Sequence, residues 1–196
     1  MISILLSYVF VPAMLFAGQE PGLSGDVRDI VSFELSRAKG EVAKSDVDGD
    51  GKAEKFVIIA EKSGGITYKN IVKVDGKDTL VVAGFPVFEG EKTYISMGFA
   101  DVTGDGYSEA LVAFSSTSLT SSALIFMDMA NPEDGEATEF VRLAPSYPVA
   151  SSFEVNWPQV IARSPDGDRD MSYTWDGNAG VWVAEQLNWV NWEPER

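Results

Sequence analysis

The feature that most constrains how this sequence can fold is an acidic stretch of nine residues that occurs twice. It runs from Asp46 to Glu54 and returns from Asp101 to Glu109. In both copies an oxygen-bearing side chain stands at the first, third, fifth and ninth places, and a glycine stands at the sixth. Glycine at the sixth place permits the positive φ that a sharp turn requires. Such a turn directs alternate side chains toward one point, as calcium requires, because it takes six to eight oxygens at about 2.3–2.6 Å.

Two other interpretations of these loops compete with a calcium site. An EF-hand would carry a bidentate glutamate at the twelfth place, where this sequence has Val57 and Val112. Aspartate and glycine also form plain polar turns, and for one copy that explanation would serve. Two copies in the same register, each followed by an apolar run at residues 56–60 and 110–114, favour calcium. A cation would also relieve the repulsion among carboxylates held so close together.

Charge and composition exclude several classes of function. Thirty acidic and fifteen basic residues give a formal net charge of −15, which argues against a nucleic-acid partner. Histidine and cysteine are absent, so most zinc sites, Ser-His-Asp and Cys-His nucleophiles and disulfides are excluded. The chemistry left to an enzyme is a carboxylate-based hydrolase, with Glu54 and Glu109 as an example of an acid/base pair. A non-catalytic protein fits the composition better.

The N-terminal part of the sequence divides into three segments. Residues 1–18 are apolar and uncharged, which predicts a secretory signal peptide, an extracytoplasmic (periplasmic or secreted) location and no stable membrane span. A retained hydrophobic anchor or a strand is the alternative. Residues 19–25 are interpreted as a linker. From Asp26 to Lys39 the helical spacing of apolar residues predicts one amphipathic helix, which covers a sheet; these residues are Val27, Ile30, Val31, Leu35 and Ala38.

The rest of the chain is predicted to be a single β-repeat domain that spans residues 26–196 together with that helix. Short apolar runs between turn residues predict strands at 56–60, 68–74, 80–85, 94–100, 110–115, 122–127, 139–143, 159–163, 171–175 and 181–185. A third acidic stretch begins at Asp166, so the three stretches begin 55 and 65 residues apart. A period in that range is typical of β-propeller blades or related β repeats. In this copy Met171 replaces the glycine. We interpret it as a plain hairpin turn, with weak metal binding as the less favoured alternative.

The two acidic loops, each running into an apolar strand, resemble the FG-GAP (VCBS-type) repeats of integrin α-subunit propellers and of many secreted bacterial proteins. The segment from Tyr173 to Gly177, followed by Val181 to Val183, is similar to the hairpin that often closes such repeats. The resemblance implies a mainly β fold of blade-like antiparallel β repeats, as a partial β-propeller or a small sandwich, with the predicted N-terminal amphipathic helix at one end.

The same resemblance implies a ligand set for each loop, because in that family four side chains and the carbonyl of the seventh place hold calcium. The first site would use Asp46, Asp48, Asp50, Glu54 and the carbonyl of Lys52. The second would use Asp101, Thr103, Asp105, Glu109 and the carbonyl of Tyr107. The sequence departs from the family by having glutamate at the ninth place, and Thr103 removes one charge from the second loop.

A different class of function remains open at the C-terminal end. Trp189 and Trp192 could form an exposed aromatic patch that binds a glycan or a protein, with calcium only stiffening the scaffold. Docking of a terminal strand is the simpler explanation of these two residues. Trp175 and Trp182 fall within predicted strands and are expected to belong to the core.

Overall fold

The protein is described here from a computed structural model, which covers residues 22–40, 42–75, 78–87, 89–90, 92–116, 122–129, 137–144, 150–165 and 167–187. Within these ranges the chain is mainly β, and its one helical element is a short 3-10 helix at Leu35–Arg37. The strands are β1 (Gly22–Gly25), β2 (Arg28–Glu34), β3 (Val42–Ser45), β4 (Glu54–Ser63), β5 (Ile66–Asp75), β6 (Asp78–Val87), β7 (Thr93–Ala100), β8 (Glu109–Ser116), β9 (Ser122–Asp128), β10 (Thr138–Leu143), β11 (Ser152–Asn156), β12 (Gln159–Arg163), β13 (Met171–Asp176) and β14 (Val181–Gln186).

The strands form three sheets, and none of the three closes on itself within the described residues. Sheet I has the order β3-β4-β5-β6, sheet II the order β10-β9-β8-β7-β2, and sheet III the order β1-β11-β12-β13-β14. Neighbouring strands are antiparallel, except that β1 pairs with β11 in parallel. Consecutive strands are therefore mostly hairpin neighbours.

Sheet II lies between the other two sheets and is buried on both faces. On β8, Val112 belongs to a core shared with sheet I, while Leu111 and Ala113 belong to a core shared with sheet III. All three side chains have no exposed area. Successive side chains of a strand point to opposite faces, so a continuous apolar run can serve two cores at once. Phe99 of sheet II packs against Phe56 of sheet I with ring centroids 4.7 Å apart.

The strands predicted downstream of residue 55 are confirmed, with bounds one to three residues wider in several cases. Trp175 and Trp182 lie in β13 and β14, as expected, and both pack against the core between sheets II and III. Their ring centroids are 5.3 Å apart. The third acidic stretch connects β12 and β13, which are antiparallel, as predicted for a hairpin turn.

The predicted helix from Asp26 to Lys39 is wrong, because half of this segment is strand β2 and its helical part is a single short 3-10 helix. The strand pairs antiparallel with β7 and completes sheet II. Val31 and Phe33 pack against the core between sheets I and II, and Leu35 is part of that core. The alternation by two of Val31 and Phe33 is the signature of a strand, and Leu35 begins the 3-10 helix that follows. Ile30, which supported the helical spacing, is 40% exposed, because it is adjacent to the core-facing Val31 and successive side chains of a strand point to opposite faces.

The remaining N-terminal interpretations meet the structure only in part. Gly22–Gly25, within the predicted linker, form β1 beside β11. The proposed signal peptide at residues 1–18 and the tryptophans Trp189 and Trp192 lie outside the described residues. No helix in the described part of the chain is long and apolar enough to cross a membrane.

Removing the Phe99 ring should destabilise the fold strongly. Its side chain has no exposed area and fills the interface of sheets I and II, so Phe99→Ala is expected to lower the free energy of unfolding by about 3–5 kcal/mol in denaturant titrations. Val183, which is 56% exposed, serves as the control, and Val183→Ala should change stability by less than about 0.5 kcal/mol. Equal effects of the two substitutions would contradict the layered arrangement.

Candidate metal centre

The two duplicated acidic stretches occupy equivalent places in two sheets. The first connects β3 to β4 in sheet I, and the second connects β7 to β8 in sheet II. Each connected pair is antiparallel, and the ninth residue of each stretch is the first residue of the following strand. We call residues 46–54 loop one and residues 101–109 loop two.

Loop one is folded around the carboxylate of Asp46. Its Oδ1 accepts the N–H of Gly49 at 2.8 Å, and its Oδ2 accepts the N–H of Gly51 at 2.9 Å. Gly51, at the sixth place, has a φ of 85°, as the sequence predicts for that position. A side chain there would strain the turn, since L-residues rarely adopt positive φ. The loop is therefore closed by local polar contacts.

Three carboxylates of loop one converge. Asp46, Asp48 and Asp50 each offer one oxygen, and these oxygens lie within 4.8 Å of one another. Asp48 and Asp50 are exposed, whereas Asp46 is half-buried. The Lys52 ammonium lies 3.0 Å from Asp50 Oδ2, and this contact holds the pKa of Asp50 below its usual value. Oxygen atoms so arranged match the donors that a hard divalent cation prefers.

Loop two repeats the hydrogen bonds of loop one. Asp101 accepts the N–H groups of Gly104 at 2.6 Å and of Gly106 at 3.0 Å, and Gly106 has a φ of 92°. Asp105 Oδ1 accepts the N–H of Tyr107 at 2.9 Å, as Asp50 accepts that of Lys52 at 2.7 Å. Among the described residues, however, the acidic side chains of loop two do not form a convergent group like that of loop one.

The ninth-place glutamates point inward, toward their own loops. Glu54 is 8% exposed and accepts the N–H of Val47 at 2.8 Å. Glu109 is 1% exposed and accepts the N–H of Val102 at 2.7 Å, and its second oxygen accepts the Thr103 hydroxyl at 3.1 Å. Burial raises the pKa of Glu109, although these hydrogen bonds act in the opposite direction. Both glutamates thus close the loop that precedes their strand.

The other predicted ligands are placed as follows. Thr103 turns its hydroxyl to Glu109, so the third place of loop two is engaged within the loop. The carbonyl groups of Lys52 and Tyr107 are predicted ligands. In the structure the N–H groups of these two residues donate to Asp50 and Asp105 and so help to shape the loops. The Tyr107 side chain is 42% exposed.

The two loops lie against each other, which the sequence did not indicate. The N–H of Ser108 donates to the carbonyl of Val47 at 2.8 Å. The Arg28 guanidinium donates both to the Asp46 carbonyl and, at 2.7 Å, to the Ser108 hydroxyl. Arg28, Gly49, Asp101 and Ser108 line one open cleft of about 460 Å³. Arg28 and Ser108 are therefore functional candidates that no motif signals, because their role depends on contacts between separate sheets.

The third acidic stretch is held by the guanidinium of Arg163. Asp170 is 2% exposed; its Oδ1 accepts the N–H of Ser164 at 3.0 Å, and its Oδ2 lies 2.8 Å from Arg163 Nη1. Arg163 also pairs with Glu154 at 2.5 Å. Asp168 is exposed, and Asp166 lies outside the described residues. The guanidinium thus supplies the positive charge in this turn.

No model of a known protein family, no curated protein and no solved structure matches this chain. Function must therefore be inferred from the residues and their geometry. The acidic loops can offer oxygen donors to a cation, and the buried glutamates can hold the loop backbone in shape.

The raised pKa of Glu109 can be measured in chelator by carbon NMR of the carboxylate, and its midpoint should lie above the ordinary 4.5. Because burial penalises the charged form, the contribution of Glu109 to stability is fully present below pH 4.5 and is lost as pH rises through the raised pKa. Thr103→Val removes a hydrogen bond that lowers the pKa, so it should raise the midpoint further. A midpoint at or below 4.5 would contradict the buried position of this carboxylate.

Proposed function

We propose that this chain is an extracytoplasmic, non-catalytic calcium-binding β-repeat protein in which calcium makes the acidic loops rigid. The observation that carries the proposal is the convergence of Asp46, Asp48 and Asp50, whose oxygens lie within 4.8 Å of one another at a turn between two strands. Carboxylates held this close favour a bound cation over mutual repulsion.

The chemistry of the loops favours calcium among the common ions. The donors are carboxylates, with a threonine hydroxyl in loop two and without histidine or cysteine anywhere in the chain, and hard oxygen donors suit calcium and magnesium. Flexible loops with many possible oxygens suit calcium better, because magnesium demands a near-ideal octahedron and keeps several waters. Asp46, Asp48 and Asp50 would hold the ion in loop one, and Asp101 and Asp105 would hold it in loop two.

The layered fold supports the finer proposal of a partial β-propeller. In each of the three sheets an acidic turn joins two antiparallel neighbours, and the sheets pack face to face through two cores. Blades of a propeller pack in this way. The extracytoplasmic location is supported by the apolar residues 1–18 of the sequence, and an extracellular calcium supply would suit a weak site.

Calcium should stabilise the protein against heat. An ion that binds only the folded state adds RT ln(1 + [L]/Kd), about 2.7 kcal/mol at a hundredfold excess over Kd, so the melting temperature should be higher in calcium than in chelator. The double variant Asp48→Ala, Asp105→Ala should lose most of this shift. A control with Glu89→Ala and Glu185→Ala removes the same charge outside the loops and should keep it. Equal melting temperatures for the unmodified protein in calcium and chelator would refute the proposal.

Loop one should bind calcium more tightly than loop two. Three aspartates would hold the ion in loop one against two in loop two, and the three aspartates of loop one converge. Calcium affinity rises with the charge of the ligands, and both sites should lie in the weak range of extracellular modules, with Kd on the order of 10⁻⁴ to 10⁻³ M. In isothermal titration, Asp48→Ala should remove the tighter phase and Asp105→Ala the weaker one. The reverse assignment would show that ligand charge does not set the order.

A further inference from the structure

A bulge in strand β2 lies against both acidic loops. The pairing with β7 shifts between Arg28, opposite Phe99, and Val31, opposite Met97, so that two residues of β2 oppose one residue of β7 and the strand carries one extra residue. Asp29, within the bulge, has a φ of 52°, a conformation that non-glycine residues seldom adopt unless their surroundings hold them. Bulges often redirect a side chain next to a functional site. Here the redirected residues are Arg28 and Asp29.

Gly98 on β7 makes this bulge possible. A Cβ atom at Gly98 would come within 2.4 Å of the Val27 side chain and 3.3 Å of the Arg28 carbonyl oxygen. Real Cβ atoms do not approach neighbouring atoms to 2.4 Å, so any other residue would displace the Val27 side chain and crowd the backbone of Arg28. The close approach of these two backbones fixes where the Arg28 side chain begins.

Arg28 and Asp29 join the bulge to both loops. Nη2 of Arg28 donates to the carbonyl of Asp46, the first residue of loop one, and to the hydroxyl of Ser108, the eighth residue of loop two. Asp29 Oδ2 accepts the hydroxyl of Ser45, the residue before loop one, at 2.7 Å. One guanidinium nitrogen therefore ties a residue of each loop to the same point.

A backbone contact runs parallel to this bridge. The peptide N–H of Val47 donates to Glu54 within loop one, while the Val47 carbonyl accepts the N–H of Ser108 in loop two. Ser108 in turn precedes Glu109, which closes loop two through Val102. The hydrogen bonds that shape the two loops are thus connected through Val47 and Ser108. These bonds offer a contiguous route by which the order of one loop can affect the backbone of the other.

We infer that Arg28 is a positioning residue that couples the two loops, so that calcium in one loop raises the affinity of the other. This inference rests on the proposed calcium binding. An ion that orders loop one would fix Asp46 and Val47, and through them Arg28 and Ser108. Loop two would then lose less conformational entropy when the second ion binds. Repulsion between the two ions opposes this effect. The carboxylates of the two loops, however, carry more negative charge than the two ions carry positive charge.

The test is a calcium titration followed by nitrogen-15 NMR, which reports each loop separately through the amides of its glycines (Gly49, Gly51, Gly104 and Gly106). With Arg28 in place, Asp105→Ala should weaken calcium binding at loop one by at least about fivefold, the lower end of typical coupling. In a protein that also carries Arg28→Met, which keeps an unbranched stem but has no donors, adding Asp105→Ala should weaken loop one by less than about twofold.

Two further variants separate the bridge from charge and from folding. Arg28→Lys should preserve the coupling, since a single nitrogen makes both contacts of Arg28 and an ammonium carries three donors. Arg37→Ala removes the same charge from an arginine that pairs with Glu34 at 3.3 Å, away from the loops, and should leave the coupling unchanged. Loss of coupling in Arg37→Ala would show that net charge, and not the bridge, is responsible.

A metal-free measurement distinguishes failure of this inference from failure of calcium binding. In chelator, Arg28→Met should speed hydrogen exchange at the Ser108 amide, which is bonded to Val47, and at Gly104 and Gly106 of loop two. Unchanged hydrogen exchange at these amides in Arg28→Met would overturn the coupling. So would an equal loss of calcium affinity at loop one when Asp105→Ala is introduced with Arg28 present and with Arg28→Met. Absence of any calcium-dependent shift in the unmodified protein would instead overturn the proposed function and the calcium part of this inference.

Discussion

A buried carboxylate that accepts a backbone N–H from the start of its own turn is the interaction on which the acidic turns of this protein depend. Glu54 accepts from Val47, Glu109 from Val102 and Asp170 from Ser164. Each carboxylate is less than 9% exposed, so an unpaired N–H or oxygen at this place would be costly. Because each turn joins neighbouring antiparallel strands, the same bond also holds two strand ends at a fixed separation. The exposed aspartates of loops one and two are thereby presented on a turn whose base is already closed.

The three turns differ in where positive charge is found. In the third turn the Arg163 guanidinium contacts Asp170 and Glu154, and it holds the pKa of Glu154 below its usual value while its own pKa is raised. In loop one the nearest ammonium within the turn is that of Lys52, which contacts Asp50 on the exposed side. A lysine tethered to one aspartate leaves Asp46 and Asp48 with backbone donors as their partners in the loop. This contrast favours loop one over the third turn as the place for the proposed cation.

Sequence patterns predict the parts of this fold that depend on local chemistry. The glycines at the sixth place do adopt positive φ at Gly51 and Gly106, and apolar runs such as 110–115 do form strands, because burial and turn geometry act over a few residues. The N-terminal segment was misassigned for an equally physical reason. The bulge at Asp29 interrupts the alternation, so that Val27 and Val31 pack against different cores. The apolar residues of the segment therefore also fit a helical spacing, while the strand signal is carried by Val31 and Phe33. A bulge depends on the partner strand and on Gly98, which lie far away in the sequence.

The contact between the loops follows from the stacking of the sheets and not from any motif. Loop one leaves the first strand of sheet I, and loop two leaves β7 of sheet II, whose other neighbour is β2. Since sheets I and II share one core, turns at corresponding strand ends are brought side by side, and Ser108 reaches Val47. Strand β2 borders β7 and also approaches β3, so its bulge is the element that can touch both turns. Spacing could therefore predict the convergence of Asp46, Asp48 and Asp50 in loop one, although the same spacing gives no such group in loop two among the described residues. Only the packing of the sheets determines that Arg28 lies between the two loops.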